Sequence, residues 1–147
     1  MQKTFLILAI CIALFISACK PKLEKVVEKT YPNGKPEIEK YYAKEGDKKV
    51  LAKEIIYWPS EKKKIEGSYK NEQRDGKWTA WFENGNKWSE GSYVNGIDDG
   101  EKTVWYENGQ IFYNGQFKMG NKVGVWKIYD ETGKLVQEIN YDNGQNQ

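Results

Sequence analysis

A period of 24 residues in the aromatic side chains constrains this chain more than any other feature of its sequence. Four aromatic residues open similar turn-like phrases at this spacing: Tyr57, Trp81, Trp105 and Tyr129. A second aromatic series follows each opener by twelve residues: Tyr69, Tyr93, Phe117 and Tyr141. Periods in this range are typical of stacked supersecondary units that bury apolar surface against their neighbours. The regularity therefore favours a structural role for most of these rings.

Each repeat predicts two short strands joined by a turn. Segments such as 76–82 and 111–117 are rich in aromatic and β-branched residues and show no helical period. Asn-Gly pairs at 84–85 and 108–109 predict two-residue hairpin loops, because both residue types tolerate positive φ. The equivalent segment 59–62 lacks the glycine, which predicts a turn of a different type.

The same pattern predicts the overall fold. Longer connectors rich in glycine, asparagine and aspartate are expected to join each hairpin to the next, at 70–76, 94–100 and 118–124. With strands at 26–30 and 50–57 in the less regular first part, about ten strands are expected. The predicted fold class is all-β, a single elongated antiparallel β-meander of about five hairpin repeats.

Three glycines occupy one repeat position inside a predicted strand: Gly67, Gly91 and Gly115. Glycine weakens a strand interior and often marks a close approach by another group. An aromatic ring from the neighbouring strand is the expected occupant of each gap.

The N-terminal residues predict an export signal. One lysine precedes the apolar run 5–16, which is about as long as a signal-peptide core and too short for a membrane-spanning helix. The following residues, Ile16, Ser17, Ala18 and Cys19, resemble a bacterial lipobox. This resemblance implies cleavage before Cys19 and acylation of its thiol. A plain secretory signal with a chance cysteine, or an uncleaved anchor, is the alternative.

These assignments divide the chain into three parts and limit its chemistry. Residues 1–18 are the lipoprotein signal peptide, 19–29 the acylated cysteine and a short tether, and 30–147 the repeat domain. Cys11 leaves with the signal and Cys19 carries the lipid, so no disulfide or free thiolate is expected. The full chain has 23 basic and 21 acidic residues, a balance that argues against a nucleic-acid partner.

The repeat resembles the MORN repeat (membrane occupation and recognition nexus) in its bacterial variant form. The resemblance rests on the motif of Asn84, Gly85, residues 90–93 and Gly100, and on its copy 24 residues later. Weaker copies flank both, so it covers about residues 30–144. It implies a surface that binds a protein partner. Bacterial proteins with such repeats include the YwqK type, which is associated with the antitoxin partner of toxin–antitoxin pairs.

The chain offers little for catalysis or metal binding. It contains no histidine, which excludes histidine-based triads and imidazole ligands. The acidic run 98–101 is interpreted as a turn rather than a calcium site. Glu83, Glu107 and Glu131 recur with the turn phrase itself, which argues against paired catalytic acids. We therefore expect no enzyme, no cofactor and no metal site.

Strand alternation predicts which rings share a face of the sheet. Trp78 and Ala80 are expected on one face, with Thr79 and Trp81 on the other. Most rings are interpreted as a core stacked from repeat to repeat. The alternative is that one aromatic row stays partly exposed as a platform for a partner. The candidate residues for this binding surface are Trp58, Trp88, Phe112 and Tyr113, the last three because they vary most in size between copies.

The leading hypothesis is a lipid-anchored protein of the bacterial cell envelope whose repeats act as a protein-binding module or scaffold. An antitoxin or immunity protein is the second hypothesis, and a binder of lipid headgroups or cell-wall glycan is a further one. The acyl chains are expected to hold the protein on a membrane, facing the periplasm or the cell surface. Lys20 stands where an aspartate would retain a lipoprotein in the inner membrane, which favours the outer membrane in a Gram-negative cell. The sequence does not specify an oligomeric state.

Overall fold

A computed structural model describes residues 22–143, which form one ten-stranded antiparallel β-sheet followed by a short 3-10 helix at Tyr141–Asn143. The strands are β1 (Glu24–Thr30), β2 (Pro36–Glu45), β3 (Lys48–Tyr57), β4 (Lys63–Lys70), β5 (Gln73–Trp81), β6 (Lys87–Val94), β7 (Ile97–Trp105), β8 (Ile111–Lys118), β9 (Asn121–Tyr129) and β10 (Leu135–Asn140). Their order in the sheet is their order along the chain, and the sheet is not closed, so the predicted all-β meander is confirmed.

The described range bears on two of the sequence predictions. The predicted signal peptide and Cys19 lie outside it. Strand β1 begins at Glu24, inside the segment 19–29 that was interpreted as a tether. Within residues 22–143 no helix has the length and apolarity needed to cross a membrane.

Strand pairing places consecutive residues on opposite faces of the sheet. One row of directly paired residues crosses from β2 to β10 and defines the ion-pair face: Glu39, Ile55, Glu66, Thr79, Glu90, Thr103, Asn114, Lys127 and Glu138. The adjacent row defines the aromatic face: Ile38, Ile56, Ile65, Ala80, Ser89, Val104, Tyr113 and Ile128. Trp78 lies on the aromatic face and Trp81 on the ion-pair face, as alternation predicts.

The turns inside each repeat have three-residue loops, so the prediction of two-residue loops was wrong. In β5–β6 the N–H of Phe82 donates to the C=O of Asn86, and the N–H of Gly85 donates to the C=O of Phe82, at 2.9 and 3.0 Å. Such a loop needs one residue with positive φ, and Gly85 supplies it at 100°. Segment 58–62 has the same hydrogen bonds, with Glu61 at φ 63°, so the different turn type predicted there was also wrong.

The connections between repeats are tighter than predicted. Each connector contains only a two-residue turn, and its other residues belong to the flanking strands: 70–76, 94–100 and 118–124. Both residues of each turn have positive φ, which is the type I′ geometry: Asn71 and Glu72, Asn95 and Gly96, Met119 and Gly120. The glycines that suggested loops lie inside strands with positive φ, close to shifts in strand pairing: Gly76, Gly100 and Gly124. They permit bulges in strands that otherwise continue.

A second bulge recurs every 24 residues near the three-residue turns. In β6 Ser89 pairs with Ala80 and Lys87 pairs with Trp81, which leaves Trp88 without a partner. The same shift leaves out the equivalent residues of the other repeats: Lys64, Phe112 and Val136. A bulge bends the strand and changes the direction of a side chain. Of the three positions that vary most between copies, Trp88 and Phe112 are therefore bulged, whereas Tyr113 is regularly paired.

The core is thin because a single-layer sheet has no second layer to cover it. Trp78 and Trp126 are nevertheless buried, at 5% and 4% exposure. Trp78 lies over Gly67 and Trp126 over Gly115, where an added Cβ would overlap the indole ring. The prediction of a ring over these glycines is confirmed. At Gly91 it is wrong, because the aliphatic chain of Lys102 lies there, with its Cδ 2.8 Å from the position of an added Cβ.

Candidate binding surface

An aromatic strip borders the three-residue turns on the aromatic face and comprises Phe82, Trp88, Tyr106, Phe112 and Tyr113. The ring centres of Phe82 and Trp88 are 6.3 Å apart, and those of Tyr106 and Phe112 are 4.9 Å apart. The rings of Phe112 and Tyr113 follow at 5.3 Å. Trp88 is 49% exposed and Phe112 38% exposed. The bulged residues thus bring large apolar side chains to the solvent.

The four predicted binding residues differ in their surroundings. Trp88 and Phe112 are exposed, as a binding surface requires. Tyr113 is half-buried, 5.3 Å from the Phe112 ring and 5.7 Å from the Trp126 ring, and desolvation followed by the charge of Asp98 raises its pKa. Trp58 is half-buried and its indole N–H donates to the C=O of Trp81 at 3.2 Å. Trp58 therefore links two successive turns.

Side chains in and beside the three-residue turns make contacts that the sequence interpretation missed. The hydroxyl groups of Tyr31 and Tyr106 donate to the C=O of the next opener, at 2.7 and 2.9 Å. The amides of Asn84 and Asn108 donate to backbone C=O groups of the next turn, at 3.1 and 2.8 Å. The recurrence of asparagine at 84 and 108 was a usable signal. These bonds hold the turns, and with them the aromatic strip, in a fixed arrangement.

Two aromatic clusters cover the buried tryptophans. Tyr69 and Tyr93 meet Trp78 edge-on, with ring centres 5.2 and 6.3 Å away. Phe117 and Tyr141 meet Trp126 in the same way, at 5.0 and 6.0 Å. The indole N–H groups of the two tryptophans donate to backbone C=O groups, at 3.0 and 3.2 Å. The aromatic series that follows the openers by twelve residues therefore packs on the core.

Cations lie over these clusters. The Arg74 guanidinium is 4.1 Å from the ring centre of Trp78, and the Lys122 ammonium is 4.5 Å from that of Trp126. The Lys102 ammonium is 5.9 Å from the ring centre of Tyr93. Within residues 22–143 none of these three cations forms an ion pair. The aromatic face therefore combines apolar rings with three positive charges that have no acidic partner among the described residues.

The lysines beside the central row of the ion-pair face have glutamate partners. Lys77 and Lys87 both contact the Glu90 carboxylate, at 2.7 Å each. The same arrangement recurs 24 residues earlier with Glu66, Lys53 and Lys63. Burial alone would raise the pKa of Glu90, but the lysine hydrogen bonds outweigh it and lower the pKa below its ordinary value. These ion pairs largely neutralise the centre of this face.

Glu39 is a buried carboxylate on the ion-pair face, with 4% exposure. It accepts hydrogen bonds from Lys25 at 2.8 Å, Tyr41 at 2.7 Å and Tyr57 at 2.9 Å. Burial alone would raise its pKa, but these hydrogen bonds outweigh burial and lower the pKa. Burial and the bond to Glu39 raise the pKa of Tyr41 to about 12. This satisfied network ties β1 and β3 to β2, which is a structural role.

The acidic residues considered as alternative sites do not converge. Within the described part of the chain, no group of three or more ligating side chains could hold a metal ion. Segment 98–101 lies in strand β7, so its interpretation as a turn was wrong. The Asp99 carboxylate accepts the backbone N–H of Met119 at 3.0 Å, which stabilises the neighbouring turn. Glu83, Glu107 and Glu131 are exposed turn residues.

Three segments of the chain match the family described as the MORN repeat variant: 74–95, 98–119 and 122–143. Each matched segment is 22 residues long, and together the three cover less than half of the 147-residue chain. Each match spans close to one hairpin, β5–β6, β7–β8 and β9–β10. The paired rows of residues continue beyond these matched segments through β2, β3 and β4. No curated protein and no solved structure shows significant similarity to the chain.

Proposed function

We propose that this chain is a non-catalytic protein-binding module that contacts its partner through the aromatic face. MORN repeats generally serve as modules that bind proteins or membranes. The observation that carries the proposal is the exposure of Trp88 and Phe112 from bulged positions within the aromatic strip. Aromatic anchors held in a fixed surface contribute most of the binding energy at many protein interfaces. Since the described sheet has one layer, nothing in it covers this face.

Affinity capture from native membranes tests the proposal. The full-length protein with a C-terminal tag is crosslinked in its own cells, and the captured proteins are quantified by mass spectrometry. We expect the double variant Trp88→Ala and Phe112→Ala to reduce capture of a specific partner by roughly tenfold or more, the effect of losing one or two anchors. Both side chains are exposed, so their loss should leave the fold intact.

The matched control is Ile97→Ala, which removes an apolar side chain with 50% exposure from strand β7, outside the aromatic strip. Capture should be unchanged in this variant. Equal capture by the double variant and the control would contradict the proposal, because the aromatic face would then be dispensable. Thermal unfolding of all variants, followed by circular dichroism, verifies that each retains the fold.

We further propose that the module is held on a membrane of the bacterial cell envelope by acylation of Cys19. The lipobox-like residues 16–19 and the apolar run before them support this proposal. Mass spectrometry of the N-terminal peptide should find a chain that begins at an acylated Cys19. Cys19→Ala should release the protein from the membrane fraction. A peptide that extends through residues 1–18 with an unmodified Cys19 would contradict the anchoring proposal.

A further inference from the structure

A small cavity opens on the aromatic face beside the exposed Trp88. It has a volume of about 200 Å³, and its lining includes Arg74, Trp78, Trp88, Tyr93 and Lys102. Pockets for small-molecule ligands usually measure roughly 300–1,000 Å³. The cavity is smaller than that range, which suits one side chain of a partner better than a free cofactor.

The cavity borders strand β7, in which Lys102 stands where the neighbouring repeats have a tryptophan. Trp78, Lys102 and Trp126 occupy the same position of successive repeats. The indoles of Trp78 and Trp126 lie over a glycine of the preceding strand, whereas a thin lysine chain lies over Gly91. A lysine chain fills less space than an indole. The departure from the repeat therefore leaves room at the surface and adds a charge there.

Two positive charges converge on this cavity. The Arg74 guanidinium and the Lys102 ammonium lie 5.7 and 5.9 Å from the ring centre of Tyr93. Among residues 22–143 neither cation has an ion-pair partner, and Asp98, which stands opposite Tyr93 in β7, pairs with neither. The lysines around Glu90 on the ion-pair face are paired. The cavity thus offers charge complementarity to an acid from outside.

We propose that this cavity binds an acidic side chain of the protein partner, with an adjacent apolar side chain of the partner packed on Trp88. A carboxylate between Arg74 and Lys102 forms charge-assisted hydrogen bonds. The exposed indole of Trp88 provides apolar area beside it. The partner segment is therefore one in which aspartate or glutamate neighbours an aromatic or large aliphatic residue. This inference rests on the proposed protein-binding function and specifies the chemistry of the partner.

Selection from a random-peptide phage library tests the inference. The purified full-length protein is immobilised in detergent, and bound peptides are sequenced. We expect a consensus of an acid next to an aromatic or large aliphatic residue. A synthetic peptide with that consensus, labelled for fluorescence anisotropy, should bind roughly tenfold more weakly when its acid is replaced by the amide, the effect of one charge-assisted hydrogen bond. Its binding should also weaken as salt is raised.

Three variants connect the consensus to the cavity. Lys102→Trp restores the residue found in the neighbouring repeats, so it should fold and yet lose the acidic consensus. Lys102→Arg keeps the charge and should retain it. Lys77→Gln makes a matched charge change on the ion-pair face and should also retain it. Unfolding transitions of each variant establish that the fold is kept.

The outcomes separate this inference from the proposed function. A consensus without an acid, no consensus at all, or one that persists in Lys102→Trp overturns the inference. If capture of the native partner still depends on Trp88 and Phe112, the proposed function stands without it. If capture is also independent of these two residues, both proposals fail.

Discussion

Two of the repeats place a tryptophan at the position where the repeat between them places a lysine. Trp78 and Trp126 are almost fully buried, each over a glycine and each under an edge-on aromatic ring. Lys102 is half-buried, and its methylene groups lie over the equivalent glycine. The strand pairing around the three sites is alike. The same backbone therefore supports a packed core in two repeats and an open, charged site in the third.

The difference shows how a single-layer repeat sheet separates core packing from surface chemistry. The sheet has no second layer to pack against. Its core therefore depends on large rings at regular positions, which pack on the rings and glycines of neighbouring strands. Once two repeats hold such rings, the repeat between them is free to carry another residue type. Regular positions then provide the fold, and departures from the pattern provide distinct surface chemistry.

The largest expected effect comes from removing one of the packed rings. Trp78→Ala should lower the free energy of unfolding by about 3–5 kcal/mol, the usual result of truncating a buried large aromatic residue. Lys102→Ala should lower it by less than about 1 kcal/mol, because the side chain is half-buried and forms no ion pair among the described residues. Urea unfolding followed by circular dichroism measures both. Equal losses would show that the two kinds of site contribute alike to stability.

The glycines beneath these residues provide a second test. A Cβ at Gly67 would overlap the rigid indole of Trp78, so Gly67→Ala should destabilise the fold by about 1–3 kcal/mol. At Gly91 the obstacle is the flexible chain of Lys102, so Gly91→Ala should cost less than about 1 kcal/mol. The same urea titrations give both values. A larger loss at Gly91 than at Gly67 would reverse the comparison.

Much of the fold could be predicted from spacing alone. The 24-residue period correctly indicated the strands, the meander and the faces of Trp78 and Trp81. The turn geometry could not be predicted in the same way. Glycine is compatible with loops and with bulges, and the sequence pattern did not reveal that Gly76 lies in a strand at φ 75°. Glu61 shows the converse, since a residue other than glycine adopts the left-handed conformation.

The candidate surface was predicted only in part. Variability in size indicated Trp88 and Phe112, and both are exposed. It could not show that they are bulged, because bulges depend on pairing across strands. The position of Lys102 over Gly91 was also missed, since an aromatic ring was expected over every strand glycine. The repeat pattern itself held the signal, because lysine replaces tryptophan at one copy of a regular position.

Two carboxylates on the ion-pair face, Glu39 and Glu90, differ in burial, so we expect them to affect the pH dependence of stability differently. Glu39 is buried with a pKa below its ordinary value of 4.5, so it stabilises the folded state above about pH 4.5. That contribution is lost as the pH falls through the folded-state pKa. Glu39→Gln should therefore cost about 1–3 kcal/mol at neutral pH, with the deficit shrinking below about pH 4.5. Burial and the hydrogen bonds to Glu39 raise the pKa of Tyr41 and of Tyr57, so both hydroxyl groups keep their protons throughout this range.

The control is Glu90→Gln, at a carboxylate that is less buried and paired with two exposed lysines. Its loss at neutral pH should be smaller than that of Glu39→Gln, because exposed ion pairs contribute about 0–1 kcal/mol. Urea unfolding at a series of pH values gives both profiles. A Glu39→Gln deficit that stays constant from pH 7 to pH 3 would contradict the assigned role of this carboxylate.

The smallest expected effect concerns Glu61, a residue other than glycine at a turn position with positive φ. Glu61 holds φ 63° at the turn position where Gly85 stands in a later repeat. Glu61→Gly should raise the free energy of unfolding by about 0.5–1 kcal/mol, because a left-handed residue with a Cβ costs roughly 1–2 kcal/mol and glycine loses more chain entropy on folding. The change also removes the exposed Lys35–Glu61 ion pair. Glu61→Ala removes that pair but keeps the Cβ, so the difference between the two variants in thermal unfolding isolates the strain. If the glycine variant proved no more stable than the alanine variant, the positive φ at residue 61 would not lower the stability of the fold.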